Sequence, residues 1–200
     1  MAYSDFTLRD VSTRLGLTAT DVPDLFADVP PVEPAPFLRA VLAEFVPIAV
    51  AVSTERARTE LALAPFLACV RAQFDRRFNL FPGVEFPVDQ AAGLTGYCDF
   101  LLTRSADMQV VRSPVAAIVE AKNENLKPGL GQCIAGMVGA ARFNEREGGP
   151  AGPVFGAVSS GTVWRFLQLD GSHVRIDLRE HYLSDLPKLV GIIAHVAGVA

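Results

Sequence analysis

The run "PVAAIVEAK", Pro114 to Lys122, narrows the fold more than any other stretch of the chain. It is apolar at odd and even positions alike until Glu120, so a strand here has two faces to bury. A sheet of that kind needs helices on both sides. The run then closes on Glu120 and Lys122, two residues apart and therefore on one face. They are either an ion pair at a strand end, worth ~0–1 kcal/mol, or the floor of an active site.

The flanking sequence supplies the layers. "DVPPVEPAP", Asp28 to Pro36, holds four prolines that no helix can cross, and it divides an N-terminal arm (1–35) from the main domain (36–200). The arm is too small to fold alone and is expected to pack on the main body. After the linker, Phe37, Val41 and Phe45 recur at helical spacing. Thr54 then N-caps a second helix that Pro65 kinks. Strand candidates are "GVEFPVD", "GYCDFLLT" and "PVAAIVEAK", then "PVFGAVSS", "VWRFLQLD" and "HVRIDL" beyond a helix over "KPGLGQCIAGMVGAARFNERE". A last helix covers roughly 183–199. The order α-β-β-β-α-β-β-β-α predicts an α/β fold, a mixed sheet flanked by helices.

Charge and cysteine content remove several functions. The formal net charge is −4, against a surface coated with positive charge. Arg71, Arg76 and Arg77 could still form a local phosphate-contacting edge, or simply a solvated helix end. Cys69, Cys98 and Cys133 are scattered and odd in number, which suits reduced thiols better than disulfides or a zinc knuckle. The first twenty residues show no apolar leader, and "LVGIIAHVAGVA" is too short to span a bilayer. The expected setting is the cytoplasm, with no membrane partner. The C-terminal helix reads as buried or as a homo-oligomer contact. "GLGQCIAG" misses the dinucleotide fingerprint because Ile134 stands where glycine is required. His173, His181 and His195 have no metal or triad spacing and are read as structural or surface histidines.

Chemistry concentrates where two strands meet. If "GYCDFLLT" and "PVAAIVEAK" form a hairpin with Thr103 near Val115, counting back brings Asp99 within about one residue of Glu120. Two carboxylates side by side in an apolar sheet repel unless one is protonated or a cation lies between them. Paired hard oxygens suit Mg²⁺ or Mn²⁺ over zinc, and a lysine beside them can orient water or stabilise charge on a phosphoryl oxygen.

Asp99, twenty residues, then Glu120-Ala121-Lys122, on a helix–three-strand–helix–strand frame over roughly 54–158, resembles the PD-(D/E)xK, restriction-endonuclease-like superfamily. The stretches "TERARTELALAPFL", "GLTGYCDFLL", "IVEAKNENLKPGLGQCIAGM" and "RFNE" resemble a bacterial branch of it. Cys98 stands where the eponymous proline would be, a position that varies in the superfamily. The resemblance implies an αβββαβ core and Mg²⁺-dependent hydrolysis of nucleic-acid phosphodiesters, DNA being the first expectation. Asp99, Glu120 and the Ala121 carbonyl would be metal ligands and Lys122 the catalytic lysine. Glu60, with Glu55 as alternate, would complete the metal shell, and Gln132 would match the glutamine on the following helix. The alternative is a catalytically inactive restriction-like fold serving as a binding or oligomerisation module.

Overall fold

The computed structural model describes every residue from Met1 to Ala200. Seven strands are ordered β1 (Thr18–Val22), β7 (His173–Asp177), β6 (Val163–Asp170), β5 (Val154–Ser159), β4 (Val115–Ala121), β3 (Tyr97–Thr103) and β2 (Asn79–Glu85), and the short β8 (His181–Tyr182) pairs with β6. The interior of the sheet holds β4 (Val115–Ala121), buried at all seven residues, as its two-sided apolar run requires. β3 (Tyr97–Thr103) and β2 (Asn79–Glu85) extend the sheet antiparallel on one side. β5 (Val154–Ser159) joins β4 in parallel on the other, followed by β6 (Val163–Asp170) and β7 (His173–Asp177), both antiparallel.

Alternation along β4 feeds two cores. Ala117, Val119 and Ala121 face a layer made by α2 (Pro36–Val52), α3 (Glu55–Arg58), α4 (Ala64–Gln73) and α6 (Leu186–Ala197). Val115 and Ile118 face α5 (Lys127–Arg146) and the N-terminal segment. The result is a helix–sheet–helix sandwich. No helix is long and apolar enough to cross a membrane.

Several elements differ from the sequence-based expectation. The second helix is interrupted rather than merely kinked. Thr54 caps it by accepting the Ala57 N–H at 3.1 Å, as expected, but Thr59–Leu63 forms a π-helical turn before α4. Pro65 cannot donate to a carbonyl one turn back, and the ladder widens just ahead of it. β2 starts at Asn79, earlier than expected, and runs through Pro82. That is tolerable because β2 is an edge strand whose outer side has no partner. The arm packs on the body: α1 (Leu8–Thr13) lies on α5, and the preceding backbone lies so close that a Cβ on Gly131 would sit 2.5 Å from the Phe6 carbonyl oxygen. The arm also supplies β1 (Thr18–Val22), which pairs with β7 in parallel. Its polar sequence hides a strand, because an edge strand with exposed side chains carries no apolar alternation.

Of the two readings of the C-terminal helix, the structure shows the buried one. Leu189, Val190, Ile192, Ile193 and Ala194 of α6 are fully buried, packed against the sheet and α4. Five of the exposed large apolar side chains, Phe37, Phe45, Ile48, Val50 and Val52, lie on α2 instead. Two of the three clustered arginines are committed internally, while Arg76 is exposed. Arg71 donates to the Phe78 carbonyl and to Asn79 Oδ1, and Arg77 donates to the Val199 carbonyl. These bonds tie α4 to β2 and to the C-terminus.

Candidate active site

The β3–β4 register pairs Thr103 with Val115 and Phe100 with Val119. One step further along both strands sets Asp99 across from Glu120. There the Asp99 side chain takes over from the backbone ladder, its Oδ2 accepting the Ala121 N–H at 2.8 Å. Glu120 follows Ile118 on the α5 side of the sheet and is fully buried. From the first turns of α5, Gln132 donates its Nε2–H to Glu120 Oε2 at 2.6 Å.

The other carboxylate oxygen, Oε1, is buried with no hydrogen-bond partner. Burial raises the Glu120 pKa well above the ordinary glutamate range. The Asp99 carboxylate adds to the rise through its charge and as an acceptor for a shared proton, while Lys122 opposes it. A buried acceptor without a partner costs about 1–3 kcal/mol, so the position is one the fold does not select for stability.

Lys122 sits one residue beyond the strand. Its N–H donates to the Ser159 carbonyl at 2.8 Å, so the backbone is pinned to β5. Its side chain is half-buried across the start of α5, where a Cβ on Gly129 would lie 3.0 Å from its Cε and 2.7 Å from a Val158 methyl. Glycine there lets the helix approach the lysine stem. The ammonium makes no ion pair.

Cys98 and Cys133 flank Glu120, both fully buried, and burial followed by the nearby carboxylate charge pushes both thiols up. They stay protonated at neutral pH, which removes thiolate chemistry from the site. Tyr3 reaches the same region, its hydroxyl donating to the Phe86 carbonyl at 2.9 Å, and its pKa is raised chiefly by burial.

The two helix carboxylates part company. Glu60 lies in the π turn, exposed, with Arg56 Nε donating to its Oε1 at 2.8 Å. Glu55, at the start of α3, is close enough for its charge to act on Glu120. Of the expected residues, Asp99, Glu120, the Ala121 backbone, Lys122 and Gln132 come together. Glu60 is exposed and turned to its Arg56 partner. Glu60→Gln is therefore expected to leave the melting temperature within about 1 °C, because it removes only an exposed i,i+4 pair.

A second group of donors escaped the sequence reading. Asp24, Asp177 and His181 bring their ligand atoms within 4.8 Å of one another. His181 Nε2 lies 3.0 Å from Asp177 Oδ2, and Asp177 Oδ1 accepts the Arg179 N–H at 3.0 Å. Asp24 accepts from the Arg179 guanidinium and from the Phe26 N–H. Every carboxylate is engaged, Arg179 supplies the balancing charge, and no oxygen is orphaned. The trio reads as a clasp joining the segment after β1 to the turn between β7 and β8. No short spacing announces it, because Asp24 comes from the far end of the chain.

Compared with known proteins, the chain matches no family model and no curated protein.

Proposed function

We propose that the protein is a divalent-metal-dependent nuclease of restriction-endonuclease-like type, acting at Asp99, Glu120 and Lys122. The observation that carries this reading is the orphaned Oε1 of buried Glu120, set beside a second carboxylate and a free ammonium. A structural ion pair would satisfy its oxygens, as the Asp177 clasp does. A pair with an unspent oxygen is built to receive something positive.

The donors fit a hard divalent cation. Asp99, Glu120 and the Ala121 carbonyl would hold Mg²⁺ or Mn²⁺. Once bound, the metal lowers the pKa of a water and neutralises charge on a phosphoryl oxygen. The chain's own groups do the rest. Gln132 fixes the Glu120 carboxylate through Oε2. The Ala121 N–H fixes that of Asp99. Lys122, with its backbone pinned to Ser159, positions the attacking water or meets the developing negative charge. Next to the site, Lys127 and Arg165 line an open cavity of about 400 Å³ together with Glu124, Asn125 and Glu180. Arg165 stands opposite Val158, which itself pairs with Glu120 across the sheet, so this depression continues the same row. It offers guanidinium and ammonium groups to a nucleic-acid backbone.

The test is cleavage of single- and double-stranded DNA and of RNA with millimolar Mg²⁺ or Mn²⁺. Lys122→Ala and Asp99→Ala are each expected to reduce cleavage by at least ~100-fold. Cleavage that survives both substitutions overturns the reading. If metal neither supports cleavage nor raises the melting temperature, the inactive binding module stands instead.

A further inference from the structure

Val163, Leu167 and Leu169 of β6 turn toward the core beneath α5, and Arg165 shares their face by the two-residue period of a strand. A cation at such a position is ordinarily paired. Arg165 is not. Its Nε is buried with no hydrogen-bond partner, and no carboxylate forms an ion pair with its guanidinium. An arginine kept for the fold looks different: Arg71 donates to the Phe78 carbonyl and to Asn79 Oδ1.

The side chain lines the open cavity of about 400 Å³ at the start of α5. Lys127, exposed and without an ion pair, lines it too, and Asn125 fixes that corner by accepting the Lys127 N–H at 3.1 Å. Two exposed carboxylates, Glu124 and Glu180, share the wall, but Glu180 already accepts the Tyr182 hydroxyl at 2.9 Å. Arg165 pairs with Val158 and Val158 with Glu120, so two strand spacings, roughly 10 Å, separate Arg165 from Glu120 along the sheet. That is too far for the phosphate under attack at Lys122. It suits another phosphate of the same strand. A guanidinium stays charged and presents a planar fork of N–H donors that matches two phosphate oxygens.

We propose, resting on the nuclease reading, that Arg165, with Lys127 on the same cavity wall, binds a phosphate flanking the one that is cleaved. The substrate is then a chain long enough to present a second phosphate, laid across the sheet from β4 to β6, rather than an isolated phosphodiester. The unpartnered guanidinium is the fixed point that sets where along the strand the cut falls.

Chain length reads this without any substitution. In millimolar Mn²⁺ the wild type is expected to hydrolyse the tetranucleotide TpTpTpT, with three phosphates, at a kcat/KM at least ~10-fold above that for TpT, with one. In Arg165→Ala most of that gain disappears, and Arg165→Lys, which keeps the charge without the fork, recovers part of it. A second measurement needs no catalysis. In millimolar Ca²⁺, the anisotropy of a labelled single-stranded oligodeoxynucleotide is expected to show Arg165→Ala binding about tenfold more weakly, with the slope of log affinity against log salt reduced by about 0.7. A wild type indifferent to chain length overturns the subsite and leaves the nuclease reading standing. So does an Arg165→Ala that slows TpT and TpTpTpT by the same factor, the mark of an arginine that only supports the fold. If the wild type hydrolyses neither substrate, the nuclease reading fails and the binding measurement decides alone. Unchanged affinity and slope then overturn the subsite as well, whereas loss of both keeps Arg165 as the phosphate contact of a binding module.

Discussion

Glu120→Gln is expected to abolish metal-dependent cleavage while making the metal-free protein more stable. Glutamine keeps the shape and can still accept the Gln132 N–H through its carbonyl. Its amide puts a donor where Oε1 has no partner and where the Asp99 carboxylate can accept. The variant thereby removes a buried carboxyl that resists ionisation, and a gain of about 1–3 kcal/mol follows from satisfying the orphaned position. The effect depends on pH in a definite direction. The pKa of Glu120 is raised in the folded state, so over a window opening at its ordinary value near 4.5 the folded chain holds a proton that the unfolded chain has lost. Wild-type stability therefore falls as pH rises through that window, and the advantage of the variant grows with it. Millimolar Mg²⁺ is expected to narrow the gap by stabilising the wild type alone. Urea melts at several pH values, with and without metal, check all three points. A variant less stable than the wild type at every pH would refute this account of Oε1.

Asp177→Ala is expected to cost about 3–5 kcal/mol, enough to unfold a marginally stable domain near physiological temperature. Asp177 is fully buried and serves two donors at once, the His181 ring and the Arg179 N–H. Removing the carboxylate leaves both unsatisfied in a pocket closed by the Phe166 ring, 5.4 Å from that of His181. Asp177→Asn keeps the shape and an acceptor oxygen and should lose clearly less. Equal losses for alanine and asparagine in thermal melts would show that charge rather than hydrogen bonding holds the clasp.

The two clusters were unequally legible in the sequence, and the reason is distance along the chain. Glu120 and Lys122 share a face by the two-residue period of a strand. Asp99 is brought to them by a hairpin of adjacent strands, and Gln132 by the helix that follows. All four placements follow from local periodicity and short connections. The carboxylate on the second helix was harder to choose, because the π turn ahead of Pro65 shifts which residues face the sheet. Glu55 and Glu60 cannot be separated by counting at 3.6 residues per turn. Asp24 reaches Asp177 only because β1 crosses to the far edge of the sheet, and nothing in "TATDV" advertises a strand. The C-terminal helix and α2 are similarly apolar in sequence, yet one is core and the other surface. Composition cannot distinguish them. The order of packing against the sheet does.

The pairing of β1 with β7 also carries a consequence in time. Thr18 finds its ladder partner only at His173, 155 residues further along the chain. The central strands and α5 can assemble from neighbours already made, whereas β1 has no edge to join until β7 has been made. The same wait applies to Asp24, whose clasp partners follow on β7 and β8. Closure of the far edge of the sheet therefore follows assembly of the central strands, and a chain cut short before β7 would keep β1 unpaired.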